Sequence, residues 1–113
     1  MQEFISYIDE TIDRLQKEEQ SLLESDRKDE ANFVKIRVNI CDICKTIYNA
    51  TAKRFSGEAV KEEYLRQLTR LPENWKISLE KARQHEDVQK ILIEEAKLET
   101  LEAIKAKFIE LGA

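Results

Sequence analysis

The chain has 113 residues, and its 23 acidic and 19 basic side chains give a formal net charge of −4. With 42% hydrophobic residues, the composition excludes a disordered chain, and the negative charge excludes attraction to nucleic acid or an anionic membrane through the overall field. The length predicts a single domain over residues 1–113. The first residues do not form a secretory signal, and no apolar run approaches the roughly 18 residues of a membrane span. We therefore expect a cytoplasmic protein without membrane contact.

Strong helix breakers are rare in this sequence. Only Gly57, Pro72 and Gly112 interrupt it, and the apolar residues between them recur at intervals of three and four residues. That interval is the period of an amphipathic helix. The pattern predicts an all-α fold without β-sheet, built as an antiparallel helical bundle of four to five helices.

The first helix is predicted from an apolar stripe that begins at Phe4 and ends at Leu22. The polar segment 24–30 follows, in which Asp26 or Asp29 is a candidate cap for a second helix. We expect a turn in this segment. An unbroken helix of about 50 residues is the alternative, because neither Gly nor Pro marks the turn, although average helices are much shorter.

Apolar residues occupy two neighbouring faces of the second helix, which is predicted over residues 29–55. One face runs from Phe33 to Phe55. The flank beside it contains Val34 and Val38. A helix that is apolar over so much of its circumference is normally surrounded by other helices. The second helix is therefore predicted to be the central element of the bundle.

Three further helices are predicted from capping and breaking residues. Gly57 ends the second helix, with Ser56 as N-cap of the third. Pro72 ends the third helix and occupies the first position of the fourth. Asp87 is a candidate N-cap for a C-terminal helix, which indicates a kink or a short turn near residue 86. A single helix from Pro72 to Leu111 is the alternative.

Two charged residues interrupt the apolar stripes of the first hairpin. Glu19 lies between apolar positions of the first helix, and Arg37 lies between those of the second. A turn centred near residue 28 pairs residues whose numbers sum to about 56, which places the two opposite each other. We expect a partly buried Glu19–Arg37 ion pair that sets the register of the hairpin. The alternative is that both side chains reach solvent at the edges of the stripes.

Cys41 and Cys44 form a C-x-x-C pattern. A redox site of this type needs the first cysteine at the beginning of a helix, and a zinc site needs four ligands. Here both cysteines lie in the middle of an apolar helix, and His85 is the only histidine, so core packing of the thiols is favoured. A ligand, metal or redox site shared across a dimer is the alternative. For His85 we expect an exposed helix end, and no cofactor is predicted.

The middle of the chain is basic, although the whole is acidic. Residues 31–70 contain 8 basic and 4 acidic side chains. Such a segment is a candidate for weak binding of nucleic acid, in which Lys and Arg neutralise phosphates. We regard it as the third possibility, because the acidic overall charge disfavours it and no recognition helix is evident.

A role in protein–protein contact or self-assembly, without catalysis, is the function that the sequence favours. Long amphipathic helices in a short chain leave apolar flanks that a partner covers, which predicts a homodimer or a complex with another protein. The alternative is that another helix of the same chain covers these flanks. The interface candidates are Val34, Val38, Trp75, Val88 and Leu92.

Overall fold

The computed structural model describes residues 2–112, which form five α-helices joined by short turns. No β-strand occurs within this range, and none of the helices is long and apolar enough to cross a membrane. The predicted all-α bundle is confirmed, with five helices. They are α1 (Gln2–Glu24), α2 (Lys28–Arg54), α3 (Glu58–Arg70), α4 (Glu73–Gln84) and α5 (Val88–Gly112).

Helix α2 is the centre of the bundle, as its apolar circumference predicts. It packs on α1, on α3 and on α5. Helix α4 packs mainly on α5, so α4 lies at the side of the bundle. The described residues measure 44 × 35 × 21 Å, and their radius of gyration is 15.4 Å, compared with about 13 Å for a compact domain of this length. The molecule is therefore flat and partly open.

The turn between α1 and α2 is built without glycine. Asp26 adopts a positive φ of 59°, and its N–H donates to the Leu23 carbonyl at 3.1 Å. The N–H of Arg27 donates to the Leu22 carbonyl at 2.8 Å. This pair of bonds is a Schellman motif, which ends a helix. The expected hairpin is confirmed, but Asp26 ends α1 and does not cap α2, which begins without a side-chain cap.

The same motif separates α4 from α5. Glu86 has a φ of 53°, and its N–H donates to Arg83, while the N–H of Asp87 donates to the Ala82 carbonyl at 2.9 Å. The Asp87 carboxylate then accepts a hydrogen bond from the N–H of Lys90 at 3.2 Å. The short turn and the Asp87 cap are confirmed, and a single helix over the last 40 residues is excluded.

The two joints that glycine and proline mark also lie where the sequence predicts them. Gly57 has a φ of 59° and is itself the N-cap of α3, without a side-chain bond, so the predicted role of Ser56 is wrong. Helix α3 ends at Arg70. Pro72 is the N-cap of α4 and not its first residue, so its predicted position is wrong by one residue.

Four aromatic rings close one end of the bundle. Each of α1, α2, α3 and α5 contributes one ring, and every pair among the four meets edge to face, with centroids 4.8–6.2 Å apart. The Tyr64 hydroxyl donates to the Cys44 carbonyl at 2.8 Å, and burial raises the pKa of Tyr64. This group, called the aromatic tetrad below, comprises Phe4, Tyr48, Tyr64 and Phe108.

Candidate binding groove

A groove lies between α1 and α5, with α2 as its floor. Both helices pack on α2, and they contact each other where Phe4 meets Phe108. Beyond the tetrad, residues of α1, α2 and α5 together line a cavity of about 310 Å³. Two smaller cavities, of about 180 and 230 Å³, share lining residues with it. We call this feature the α1–α5 groove. It is closed at the aromatic tetrad and open toward the α1–α2 turn.

The α1 wall of the groove combines apolar, hydroxyl and charged side chains. Tyr7, Thr11, Arg14 and Glu18 line the cavity, and their spacing of four, three and four residues places them on one helix face. At the closed end, the Lys107 ammonium lies 5.6 Å from the centre of the Tyr7 ring. This face is the flank of the helix beside its core stripe, so it remains partly accessible.

Small side chains on α5 form much of the opposite wall. Ala96, Thr100 and Ala103 line the cavities together with Glu99. The Thr100 hydroxyl donates to the Ala96 carbonyl at 2.8 Å, so it is satisfied within its own helix. Because these side chains are short, the α5 wall leaves room that longer residues would fill.

Arg37 crosses the floor of the groove and bonds to α5. Its guanidinium donates to Glu99 at 3.1 Å and to the Thr100 hydroxyl at 3.2 Å. The predicted Glu19–Arg37 pair is therefore wrong. The turn is centred on Asp26, and the α1–α2 register is offset accordingly. Glu18, and not its neighbour Glu19, lines the cavity with Arg37.

Another ion pair joins the two helices of the first hairpin. The Lys45 ammonium lies 2.6 Å from the Asp9 carboxylate. A turn centred near residue 28 would have placed residue 11 opposite Lys45, whereas the ion pair joins Lys45 to Asp9. Arg37 lies on a side of α2 that reaches α5, as its bond to Glu99 shows.

Both cysteines lie in the core of the chain. Burial raises the pKa of Cys41 to about 11, with a further contribution from Asp42, and burial raises the pKa of Cys44 to about 12. The thiols are therefore protonated at neutral pH and are poor nucleophiles. Cys41 also forms part of the groove floor. These observations favour the core-packing interpretation.

The remaining metal-ligand candidate lies on another element. His85 is exposed at the end of α4. Its backbone N–H donates to the Lys81 carbonyl at 3.1 Å. Within residues 2–112 no group of three or more His, Cys, Asp or Glu side chains is arranged to hold a metal ion. The histidine and the two buried thiols therefore do not converge on one site in this chain.

The five interface candidates divide into two groups. Val34 and Val38 are each only 6% exposed and belong to the core, so their prediction as interface residues is wrong: helices of the same chain cover them. Trp75 is half-buried, with the Lys97 ammonium 5.8 Å from its ring centre. Val88 and Leu92 are 66% and 46% exposed, and Leu92 lines the open end of the groove.

One buried acidic side chain was not expected from the sequence. Glu94 is 5% exposed, and its Oε1 accepts a bond from the Lys97 ammonium at 3.3 Å. Its Oε2 has no hydrogen-bond partner among the described residues. Lys97 also contacts the ring of Trp75, so the three side chains form a polar cluster where α5 meets α4. These three side chains line none of the groove cavities. We therefore regard the cluster as a contact between α4 and α5.

Much of the basic charge in the middle of the chain is neutralised locally. Four of its eight basic side chains form ion pairs, namely Arg37, Lys45, Lys61 and Arg66. This pairing weakens the argument for a phosphate-binding surface.

Comparison with protein families, curated proteins and solved structures finds no match to this chain.

Proposed function

We propose that this protein is a non-enzymatic interaction module that binds a helix of another protein in the α1–α5 groove. The observation on which the proposal depends is the cavity that residues of α1, α2 and α5 line together. In this proposal a helix of the partner takes the position diagonal to α2, as the fourth helix of the arrangement. Docking of an amphipathic helix into such a groove is a recurrent mode of recognition between proteins.

The dimensions of the groove support a short helical partner. Along α1 its lining runs from Tyr7 to Glu18, and along α5 from Leu92 to Ile104. At 1.5 Å per residue these stretches measure about 16–18 Å, which corresponds to three turns of helix. A partner of that length contacts both walls at once, and at one end it meets the half-buried Phe33 and the exposed Leu92.

Self-association is the second candidate, and the exposure of Val88 and Leu92 favours it. These residues lie one turn apart on α5 and form a small apolar patch beside the groove. Two copies joined through this patch bury apolar surface that is otherwise in contact with water. Sedimentation velocity over a range of concentrations measures this directly: a monomer throughout would contradict self-association.

Selection from a displayed library of helical peptides tests the primary proposal. The wild-type chain is the target, and binders are then screened against Ala103→Trp, which fills the groove with a large side chain. Ala50→Trp is the matched control, because Ala50 is an exposed helical alanine on α2 that lines none of the groove cavities. We expect binders whose affinity falls with Ala103→Trp alone. Binders that respond equally to both substitutions would contradict the proposal.

A further inference from the structure

We infer that the helix bound by the α1–α5 groove is basic: an amphipathic helix of about three turns, with a ridge of large apolar residues flanked by Lys or Arg. This inference rests on the proposed function and adds the chemical class of the partner. The reasons lie in the charges at the rim of the groove, in the size of its lining residues and in the surface of the rest of the chain.

The rim of the groove has an excess of carboxylates. Four acidic residues line the three cavities, and only Arg14 and Arg37 oppose them. Arg37 is already bound to Glu99, so Arg14 is the one basic side chain of the lining that has no ion pair within residues 2–112. The acidic lining residues are Glu10, Glu18, Glu95 and Glu99.

Three of these carboxylates have no partner of their own. Glu10, Glu18 and Glu95 form neither a hydrogen bond nor an ion pair with the part of the chain that the structure describes. Two lie on α1 and one on α5, so they border the groove on both sides. A helix between them that presents Lys or Arg along both flanks meets opposite charge on each side, which favours association and orients the partner.

The apolar lining complements large side chains on the partner. Ala96 and Ala103 on α5 are small, and Phe33 and Leu92 lie at the open end. Short side chains on the groove wall allow close approach of a partner helix whose own ridge is built from Leu, Ile or Phe. Apolar contact supplies most of the affinity in such a complex, and the rim charges supply selectivity.

A second copy of this chain does not offer a helix of this kind. Its exposed large hydrophobic residues are scattered over several helices, and only Val88 and Leu92 are neighbours on one face. That pair lies beside Glu95 and Glu99 at the rim of the groove itself. Two copies that docked through it would bring carboxylates together, which is unfavourable. The charge therefore favours a different protein as the partner.

A pair of synthetic peptides tests the charge of the partner. Both have about 15 residues and a leucine at every third or fourth position, which spans about 20 Å as a helix. One has lysine along the flanks and its twin has glutamate. Fluorescence anisotropy of the labelled peptides measures binding at low and at physiological ionic strength. We expect the lysine peptide to bind at least about tenfold more tightly, with a preference that decreases as salt rises.

Charge reversal at the rim provides the matched control. The double variant Glu10→Lys with Glu18→Lys should reverse the preference between the two peptides. The double variant Glu62→Lys with Glu80→Lys changes the net charge equally on α3 and α4, at exposed residues that line none of the groove cavities. It should retain the preference for the lysine peptide. If both double variants weaken lysine-peptide binding equally, attraction to the whole acidic chain explains the result and the inference fails.

The remaining outcomes separate this inference from the proposed function. Equal binding of both peptides, abolished by Ala103→Trp, would contradict the inference that the partner is basic. It would still support the groove as the binding site. Failure of both peptides to bind would overturn the inference, whereas the library selection decides the proposed function independently. A stable dimer that Ala103→Trp dissociates would identify a second copy as the occupant and would also overturn it.

Discussion

The two ends of the α1, α2 and α5 assembly differ in how they are packed. At one end the aromatic tetrad joins four helices through ring contacts of 4.8–6.2 Å. At the other, short and charged side chains separate α1 from α5, and a groove of about 310 Å³ remains. The large rings of the tetrad, one from each of four helices, exclude water and close the bundle. Alanine and threonine at the other end do not fill the same space. We therefore assign stability to the tetrad and propose the groove as the site of recognition.

The largest expected contrast is between core and groove truncations. Phe108→Ala removes a ring that contacts all three other members of the tetrad, and we expect it to lower the free energy of unfolding by about 3–5 kcal/mol. Leu92→Ala, at a groove residue that is 46% exposed, should change it by less than about 1 kcal/mol. Urea denaturation followed by circular dichroism measures both. Equal losses would contradict the division between the two ends.

The pH dependence of stability reports on the thiols between the two ends. Burial raises the pKa values of Cys41 and Cys44 to about 11 and about 12, from an ordinary 9.0. Above about pH 9 the unfolded chain loses protons that the folded chain retains, so stability falls as pH rises. We expect a loss of about 2–4 kcal/mol between about pH 8 and about pH 10.5.

Urea titrations at several pH values measure this slope. The double variant Cys41→Ala with Cys44→Ala should reduce it and leave the part that the buried Tyr64 contributes, because the pKa of Tyr64 is also raised by burial. Of the two single variants, Cys44→Ala should flatten the slope more at the upper end of the range, because Cys44 has the higher pKa. A slope that is the same with and without the thiols would contradict their burial.

A smaller effect is expected at the turn where the open end of the groove begins. Asp26 has a φ of 59°, a left-handed conformation that glycine adopts without strain. Asp26→Gly should therefore raise the free energy of unfolding by about 0.5–1 kcal/mol. Gly57→Ala is a comparison of opposite sign: Gly57 has a φ of 59° and a ψ of −136°, a conformation that is essentially confined to glycine, although an added Cβ would meet no atom within 4 Å. It should lower stability by about 1–3 kcal/mol. Thermal denaturation measures whether each substitution raises or lowers the stability of the chain.

The smallest expected effect is at the ion pair on the groove floor. Arg37→Met removes the bond to Glu99, whose side chain is 64% exposed, while Thr100 keeps its bond to the Ala96 carbonyl. Exposed pairs contribute little, so we expect a change of about 0.5 kcal/mol or less in the free energy of unfolding. A loss above about 2 kcal/mol would show that this pair, and not the tetrad alone, holds α5 in place.

The fold could be predicted from the sequence because its main signals are local. The apolar stripes and the breakers at Gly57 and Pro72 define the helices and most of their ends. The turns at Asp26 and Glu86 were predicted from polar content, but their left-handed residues were not, since side chains other than glycine rarely adopt that conformation. Local pattern thus determined the elements and left the details of two turns open.

The site was harder to predict because it depends on long-range packing. Arg37 bonds to Glu99, 62 residues away in the chain, and no local pattern indicates that this side of α2 reaches α5. Val34 and Val38 were interface candidates because the sequence of α2 alone does not show which of its faces other helices of the chain cover. The acidic rim combines Glu18 of α1 with Glu95 of α5, which only the fold places on the two sides of one groove.

Mapping the peptide-binding surface by nuclear magnetic resonance is the most direct test of the central claim. Titration of the lysine peptide into the uniformly ¹⁵N-labelled chain should shift the backbone amides of Thr11, Arg37 and Ala103, one from each helix that lines the groove. The amides of Tyr64 and Lys76, on α3 and α4, should remain unchanged. Shifts centred on α3 or α4, with the groove amides unaffected, would contradict the assignment of recognition to the α1–α5 groove.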